Sequence, residues 1–113
     1  MTVEDIVKAL PLTVVAGQDG LATPVTGGYV SDLLSNVMGN ASAGNVWVTM
    51  QGHQNIVAVA SLAGLAAVIV AGGVAPEADT VAKAKAEGVV LLTTAQPSFA
   101  VVGQLYQSGV KGQ

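Results

Sequence analysis

Three short polar segments interrupt an otherwise apolar sequence, and each follows a run typical of a buried β-strand. Residues 50–55 carry amide and imidazole side chains, Gly72-Gly73 precede Pro76, and residues 93–98 carry hydroxyls and a glutamine. In open α/β sheets, ligands bind beyond the carboxyl ends of the strands, where helix N-termini offer free N–H groups. We therefore expect the three segments to share one sheet edge and to bind a small polar ligand. The candidate ligand-binding residues are Gln51, Gly52, His53, Gln54, Asn55, Gly72, Gly73, Thr94 and Gln96.

His53 is the only histidine in the sequence, so one chain cannot build a multi-histidine metal site, and we predict no metal. Two interpretations of residues 51–55 stay open: they cap a helix N-terminus, or the imidazole hydrogen-bonds a ligand or a dimer mate. We predict a protein that is not an enzyme and has no catalytic residue. The alternative is a small enzyme with His53 as general acid or base and the Gly72 and Gly73 amides stabilising a developing charge.

The paired glycines suit either a close approach to an anion or nucleotide, or plain turn geometry. The complete G-x-G-x-x-G and G-x-x-x-x-G-K-[ST] patterns are absent, so the sequence predicts neither a dinucleotide site nor a P-loop, and we expect no cofactor. Thr94 and its neighbours also have two interpretations, since their hydroxyls can cap a helix or face the same crevice.

Composition predicts one domain, residues 1–113, and an oligomer. The hydrophobic residues make up 51% of the sequence and the charged residues 10%. A monomer of this length usually buries less apolar surface than such a chain offers. We therefore expect a homodimer.

Charge and cysteine usage exclude several classes of function. The net charge is −3, with four lysines and no arginine, whereas nucleic-acid binding needs clustered cations and favours arginine. We expect no nucleic-acid partner. The absence of cysteine excludes disulfides, thiolate chemistry and sulfur-bound metals. The acidic N-terminus differs from a secretory signal, so we expect a cytoplasmic protein.

Hydrophobic periodicity and turn residues predict the elements that position the polar segments. The uncharged stretch 56–75 is long enough to cross a bilayer, but Gly64 divides it into a helix and a β-branched strand, so we predict no membrane partner. The helix over 77–87 holds five of the eleven charged residues. The expected helices are 2–10, 31–38, 54–63, 77–87 and 97–108, and the expected strands are 12–16, 46–50, 65–70 and 89–93, with a short extended piece over 21–25.

This alternation predicts an α/β fold: a compact three-layer domain with a mainly parallel sheet and helices on both faces. Leu33, Leu34, Val37 and Met38 follow helical spacing, and we expect this face to be core, with any excess forming a partner surface. Gly39 is expected to end that helix.

The order of three segments, residues 25–34, 46–56 and 68–73, resembles the DRTGG domain family. The resemblance covers nearly the whole chain. It implies a compact α/β domain found alone or fused in bacteria and archaea, including beside CBS domains in regulatory pyrophosphatases and within some phosphotransacetylases. In fused members the domain resembles a dimerisation and regulatory element. Stand-alone members are similar to proteins encoded near iron-only hydrogenase genes, which implies a protein partner in a hydrogenase-associated system.

The sequence departs from the family at its name-giving residues. The Asp-Arg pair of the family falls at His53-Gln54, and the Thr-Gly-Gly falls at Ala71-Gly72-Gly73, so only the glycines match. An anion site built on arginine therefore does not transfer to this chain. We predict a regulatory or ligand-binding module, homodimeric and non-catalytic, whose partner is a small polar ligand, a nucleotide among the candidates, or a protein.

Overall fold

A computed structural model describes residues 1–112. The structure contains five helices and five strands, which alternate from Gly27 onward, and one 3₁₀ turn at Gln18–Gly20. The helices are α1 (Val3–Ala9), α2 (Leu34–Asn40), α3 (Asn55–Ala63), α4 (Ala78–Glu87) and α5 (Ser98–Gln107), and the strands are β1 (Thr13–Ala16), β2 (Gly27–Val30), β3 (Asn45–Thr49), β4 (Ala67–Val70) and β5 (Leu91–Thr93).

The strands form a single sheet in the order β1-β5-β4-β3-β2. The four strands from β2 to β5 are parallel, and β1 is antiparallel to β5. The inner strands β3 and β4 are buried along their whole length, as their nearly continuous apolar sequences require in a sheet covered on both faces.

The two faces of the sheet carry separate cores, because successive side chains of a strand point to opposite sides. On β3, Val46 and Val48 pack with α1 and α5, whereas Trp47 packs with α2, α3 and α4. The Trp47 indole N–H donates to the Ser31 carbonyl at 2.8 Å, so this buried ring also has its polar atom paired. The expected three-layer α/β fold with a mainly parallel sheet and helices on both faces is confirmed.

The first helix begins as the sequence predicts. Thr2 caps α1 through a reciprocal pair of hydrogen bonds with Asp5, the capping box. The hydrogen bond from the Thr2 backbone N–H lowers the pKa of the Asp5 carboxyl.

Three expectations about residues 21–40 are wrong. The extended piece expected over 21–25 contains only an isolated bridge, between Pro24 and Thr2, and the edge strand lies at Gly27–Val30, where no strand was expected. Helix α2 begins at Leu34 and continues through Gly39 to Asn40. Of the face expected to be core, only Val37 is buried.

The position of β2 has a cause in the packing of its glycines. A Cβ on Gly27 would lie 3.0 Å from the Lys111 carbonyl oxygen, and one on Gly28 would lie 3.2 Å from Val110 Cγ1. The glycines therefore admit a close approach of the chain's C-terminal segment, and glycine in a strand often marks such an approach.

No helix among residues 1–112 is long and apolar enough to span a membrane, and stretch 56–75 divides into α3 and β4, as expected.

Candidate functional site

The connections after β4 and β5 leave the sheet toward opposite faces. Helices α2, α3 and α4 all pack on the Trp47 face, whereas α5 packs on the opposite face with α1. Adjacent strands β4 and β5 therefore form a topological switch point. Crevices in α/β sheets lie outside the carboxyl ends of strands at such points, and ligands bind there.

Two backbone hydrogen bonds join the loops at this switch point. The Gly72 N–H donates to the Gln96 carbonyl at 2.7 Å, and the Gly73 N–H donates to the Thr94 carbonyl at 3.0 Å. Both glycines have positive φ, 74° and 73°, which a side chain rarely tolerates. The glycine amides thus hold the two loops together, and neither is free to receive an anion.

A crevice of about 520 Å³ opens beside these bonds, between the β4–α4 loop and the edge formed by β5 and β1. Its volume lies within the range of small-molecule sites, about 300–1,000 Å³. Thr13 and Thr93 are paired across the antiparallel β1–β5 ladder, so both hydroxyls face the same side. The lining is Pro11, Thr13, Val15, Gly73, Val74, Ala75, Pro76, Thr93, Thr94 and Ala95.

The lining of the crevice carries no charged residue. Charged residues nearby are acidic, since Glu77 is the N-cap of α4 and Asp79 lies in its first turn. Lys85 instead lines a separate depression with Gly17 and Gly88, residues next to the amino ends of the strands. The crevice therefore suits an uncharged or cationic group better than a polyphosphate.

Gln96 follows the crevice-lining residue Ala95 but is not itself part of the lining. Its side-chain Oε1 is buried and accepts no hydrogen bond within residues 1–112, and the same holds for Oε1 of Gln104 in α5. A buried acceptor left unpaired costs about 1–3 kcal/mol. The Gln96 backbone N–H donates to the Thr94 hydroxyl at 3.2 Å, which fixes this turn.

The first polar turn, residues 50–54, is hydrogen-bonded to α4 and does not line the crevice. The Gly52 carbonyl accepts from the Glu77 N–H at 3.1 Å and from the buried Thr80 hydroxyl at 2.7 Å. A Cβ on Gly52 would lie 3.2 Å from the Ala75 carbonyl oxygen. Ala75 also lines the crevice, so this residue separates the crevice from the first polar turn.

His53 is exposed and hydrogen-bonds the start of α3. Its Nδ1 accepts from the Asn55 backbone N–H at 3.1 Å, which satisfies one of the unpaired donors at a helix N-terminus. Accepting at Nδ1 requires that nitrogen to be unprotonated, so the neutral ring carries its proton on Nε2. The geometry supports the helix-start interpretation of this histidine.

The structure brings the predicted residues together in two groups. Gly73 and Thr94 line the crevice, with Gly72 and Gln96 forming the bonds beside it. The neighbouring turn is formed by Gln51, Gly52, His53 and Gln54, and Asn55 is the first residue of α3.

Sequence reasoning missed Asp32 as a residue of this edge. Its Oδ1 accepts from the Thr49 hydroxyl at 2.8 Å and from the Met50 N–H at 2.7 Å. Its carbonyl accepts from the Gln51 side-chain amide at 3.1 Å. Asp32 thereby ties the loop after β2 to the first polar turn. The only signal was its position before the apolar pair Leu33-Leu34, which did not distinguish it from a helix-start residue.

Metal binding has no support in this arrangement. Within residues 1–112, no group of three histidine, cysteine or acidic side chains is placed to hold a metal ion.

These features define an α/β domain with a switch-point crevice, and the fold is similar to that of a solved structure. It is the CBS and DRTGG domains of the regulatory region of Clostridium perfringens pyrophosphatase, complexed with the activator diadenosine tetraphosphate. The match has a TM-score of 0.75 and 19% identity, and it covers 95% of this chain and 46% of that chain. No family model and no curated protein matches the chain.

The likeness confirms the expected DRTGG-like fold. At 19% identity it shows the fold alone, and this chain spans about half the length of its structural neighbour.

Proposed function

We propose that this chain is a non-catalytic regulatory module that binds a small polar ligand in the crevice between the β4–α4 loop and the edge formed by β5 and β1. The observation that carries the proposal is the coincidence of a crevice of about 520 Å³ with the switch point of the sheet. Gly73 and Thr94 line the crevice, and the Gln96 carbonyl fixes the β4–α4 loop beside it by accepting from the Gly72 N–H.

The structural neighbour supports a regulatory role. That protein is the regulatory region of a pyrophosphatase, and its ligand is a nucleotide activator. A module of the same fold with a ligand crevice is therefore expected to sense a metabolite rather than to transform one.

The chemistry of the crevice narrows the ligand class. The lining offers threonine hydroxyls and apolar surface with no cation, and the Gly72 and Gly73 amides are already paired. A phosphate placed there would meet neither a lysine nor free N–H groups, while Glu77 and Asp79 lie at the start of the adjoining helix. We propose an uncharged ligand with hydrogen-bond donors, such as a nucleoside, rather than a nucleoside polyphosphate.

The alternative of a small enzyme has less support. The Nδ1 of His53 accepts from the Asn55 backbone N–H, and His53 is not among the residues that line the crevice. Among residues 1–112, no second side chain hydrogen-bonds the His53 ring to orient it as an acid or base. The histidine would have to act alone.

A thermal-shift comparison of adenosine with ATP tests the proposal. A ligand at a hundred times its dissociation constant adds about 2.7 kcal/mol to the free energy of unfolding. We expect adenosine, or another nucleoside from a panel, to raise the melting temperature and its triphosphate to raise it less. A larger shift with ATP than with adenosine would contradict the proposed ligand class.

Two matched variants place the ligand. Ala95→Trp fills the crevice, and Ser61→Trp puts the same side chain on the exposed surface of α3. We expect the first variant to lose the ligand-induced shift and the second to keep it. His53→Ala should also keep it, and a loss in that variant alone would move the site to the first polar turn.

A protein partner is the second candidate. Leu33 and Met50 are exposed at the same edge, and Asp32 holds their two loops together. The absence of a melting-temperature shift with every metabolite in a broad panel would favour docking of a protein. The hydrogenase-associated systems implied by the family resemblance are the first partners to test.

With either partner we propose a homodimer, because the apolar content exceeds what one domain of this size usually buries.

A further inference from the structure

Helix α5 has a second face that nothing in the monomer covers. Val101 and Leu105 are buried against the sheet, but Phe99 is 93% exposed and Tyr106 is 58% exposed. The spacing of residues 99, 103 and 106 places them on one stripe of the helix. The helix contains no charged residue, and charged side chains are what normally covers the outer face of a helix in water.

An apolar groove lies beside the stripe. It has a volume of about 250 Å³ and runs between α5 and the edge strand β2. A cavity of about 150 Å³ lined by apolar side chains is large enough for a benzene ring. The groove can therefore receive an aromatic side chain. The residues that form its walls include Val30, Val48, Val102, Leu105, Tyr106 and Val110.

Gly103 at the centre of the stripe has no role in the monomer. It is exposed within α5, and a Cβ added to it would meet nothing within 4 Å. Glycine inside a helix is less stable than alanine by about 0.5–1 kcal/mol. What glycine offers at an exposed helix position is a close approach of another backbone.

We propose that the α5–β2 face, defined by Phe99, Gly103, Tyr106 and the groove beside them, binds a second copy of this chain across a two-fold axis. The proposal deepens the homodimeric part of the proposed function and does not depend on its ligand-binding part. A knob, Phe99, and a hole, the groove, occur on the same face, as a self-complementary interface requires.

Charge also favours a second copy over a different partner. A two-fold axis brings each residue near the same residue of the partner, so a charged side chain close to the axis would face its like. Neither α5 nor β2 carries a charge. The one cation at the border of the groove, Lys111, lies 3.7 Å from the centre of the Tyr106 ring and donates to the Tyr106 carbonyl.

The spacing along α5 fits an antiparallel helix pair that crosses at Gly103. Phe99 precedes Gly103 by about 6 Å along the axis and Tyr106 follows it by about 4.5 Å, at 1.5 Å per residue. Antiparallel packing therefore places Phe99 of one copy against the partner's Tyr106, at the mouth of the partner's groove. Because the axis is two-fold, the dimer contains this contact between Phe99 and Tyr106 twice.

Light scattering of the full chain at micromolar concentration, with surface variants, tests the proposal. We expect the wild-type chain to have twice the monomer mass of 11.2 kDa. Phe99→Glu should raise the dimer dissociation constant about thirtyfold or more, as for a central aromatic anchor. Leu62→Glu is the matched control, because Leu62 is 78% exposed on α3, away from this face.

A second pair of variants tests the close helix approach. Gly103→Gln should weaken the dimer, whereas Gly39→Gln, at another exposed helical glycine with open space around it, should not. Circular dichroism of each variant establishes that the fold is kept. A monomeric wild-type chain, or a dimer that only Leu62→Glu dissociates, would overturn the proposal.

The same samples separate this inference from the ligand proposal. Phe99→Glu is expected to keep the nucleoside-induced thermal shift, because the crevice is formed by other elements. A dimer without any ligand response supports the interface and contradicts the proposed ligand. A monomer that still shows the ligand-induced shift supports the proposed ligand and contradicts the interface.

Discussion

Helices α4 and α5 have the same length, ten residues, but opposite surface chemistry. They begin at adjacent loops of the switch point and leave toward opposite faces of the sheet. Helix α4 carries Asp79, Lys83, Lys85 and Glu87, whereas α5 carries no charged residue. The first is a helix with one side in the core and one in water. The second has apolar side chains on both sides, which is typical of a helix that contacts more than its own domain.

The buried sides of the two helices also differ. Helix α4 buries Thr80 and Ala84, while α5 buries the larger Val101 and Leu105. The contribution of α4 to the fold is therefore expected to come from its hydrogen bond to the first polar turn. That of α5 is expected to come from apolar packing. Variants on each helix should separate the two contributions.

The largest effect is expected from truncation of the α5 core. Leu105 is 4% exposed and belongs to the core that contains Val46 and Val48. Leu105→Ala should lower the free energy of unfolding by about 3 kcal/mol, because it removes buried methyl groups and leaves a cavity. Urea unfolding measures this loss. Val81→Ala on α4, where the valine is only partly buried, is the control and should cost less; an equal loss would remove the distinction between the helices.

A smaller effect is expected from the hydrogen bond of α4. Thr80→Val keeps the shape of a fully buried side chain but removes the donor to the Gly52 carbonyl. The expected loss is about 1 kcal/mol, since the carbonyl keeps the Glu77 N–H as a partner. Hydrogen exchange at the Glu77 amide should also become faster.

Thr94→Val provides a comparison on the α5 side. Its hydroxyl accepts from the Gln96 N–H in the turn before that helix. We expect faster exchange at Gln96 and no change at Glu77. A Thr80→Val variant with the exchange rates of the wild type at both turns would show that the hydrogen bond does not join α4 to the first polar turn.

The smallest effect is expected from the charges of α4. Lys83 lies four residues from both Asp79 and Glu87, but the only ion pair within 4 Å among residues 1–112 joins Lys8 to Glu4. Lys83→Gln should change the free energy of unfolding by less than about 0.5 kcal/mol. Thermal unfolding at low and high salt measures it. A loss above 1 kcal/mol that salt does not reduce would mean that α4 is held by buried electrostatics.

The fold was largely predictable because local patterns agree with it. The capping residue Thr2, the apolar strands β3 and β4, and the charged helix over 77–87 each have the environment that their sequence indicates. Strand β2 was missed because Gly27-Gly28 is a poor strand sequence. Only the approach of Lys111, whose carbonyl accepts from the Gly28 N–H at 2.9 Å, explains glycine there.

The candidate site was predictable in location more than in detail. Paired glycines and polar turns after buried strands indicated the carboxyl edge, and Gly73 and Thr94 do line a crevice there. The sequence left open that the Gly72 and Gly73 amides face an anion, but both amides donate to carbonyls of the neighbouring loop. The role of Asp32 depends on a contact across 17 residues of sequence, which no local pattern indicates.

The sequence by itself determined the chemical inventory of this edge: hydroxyls, amides, one imidazole, and neither arginine nor cysteine. It also determined the α/β alternation, because periodicity and turn residues are local properties of the chain. Only the tertiary structure decided that the loops after β4 and β5 diverge, that the glycine amides are paired, and that Phe99 and Gly103 face outward. Those features depend on which face each helix covers, and that choice is made by packing between residues distant in sequence.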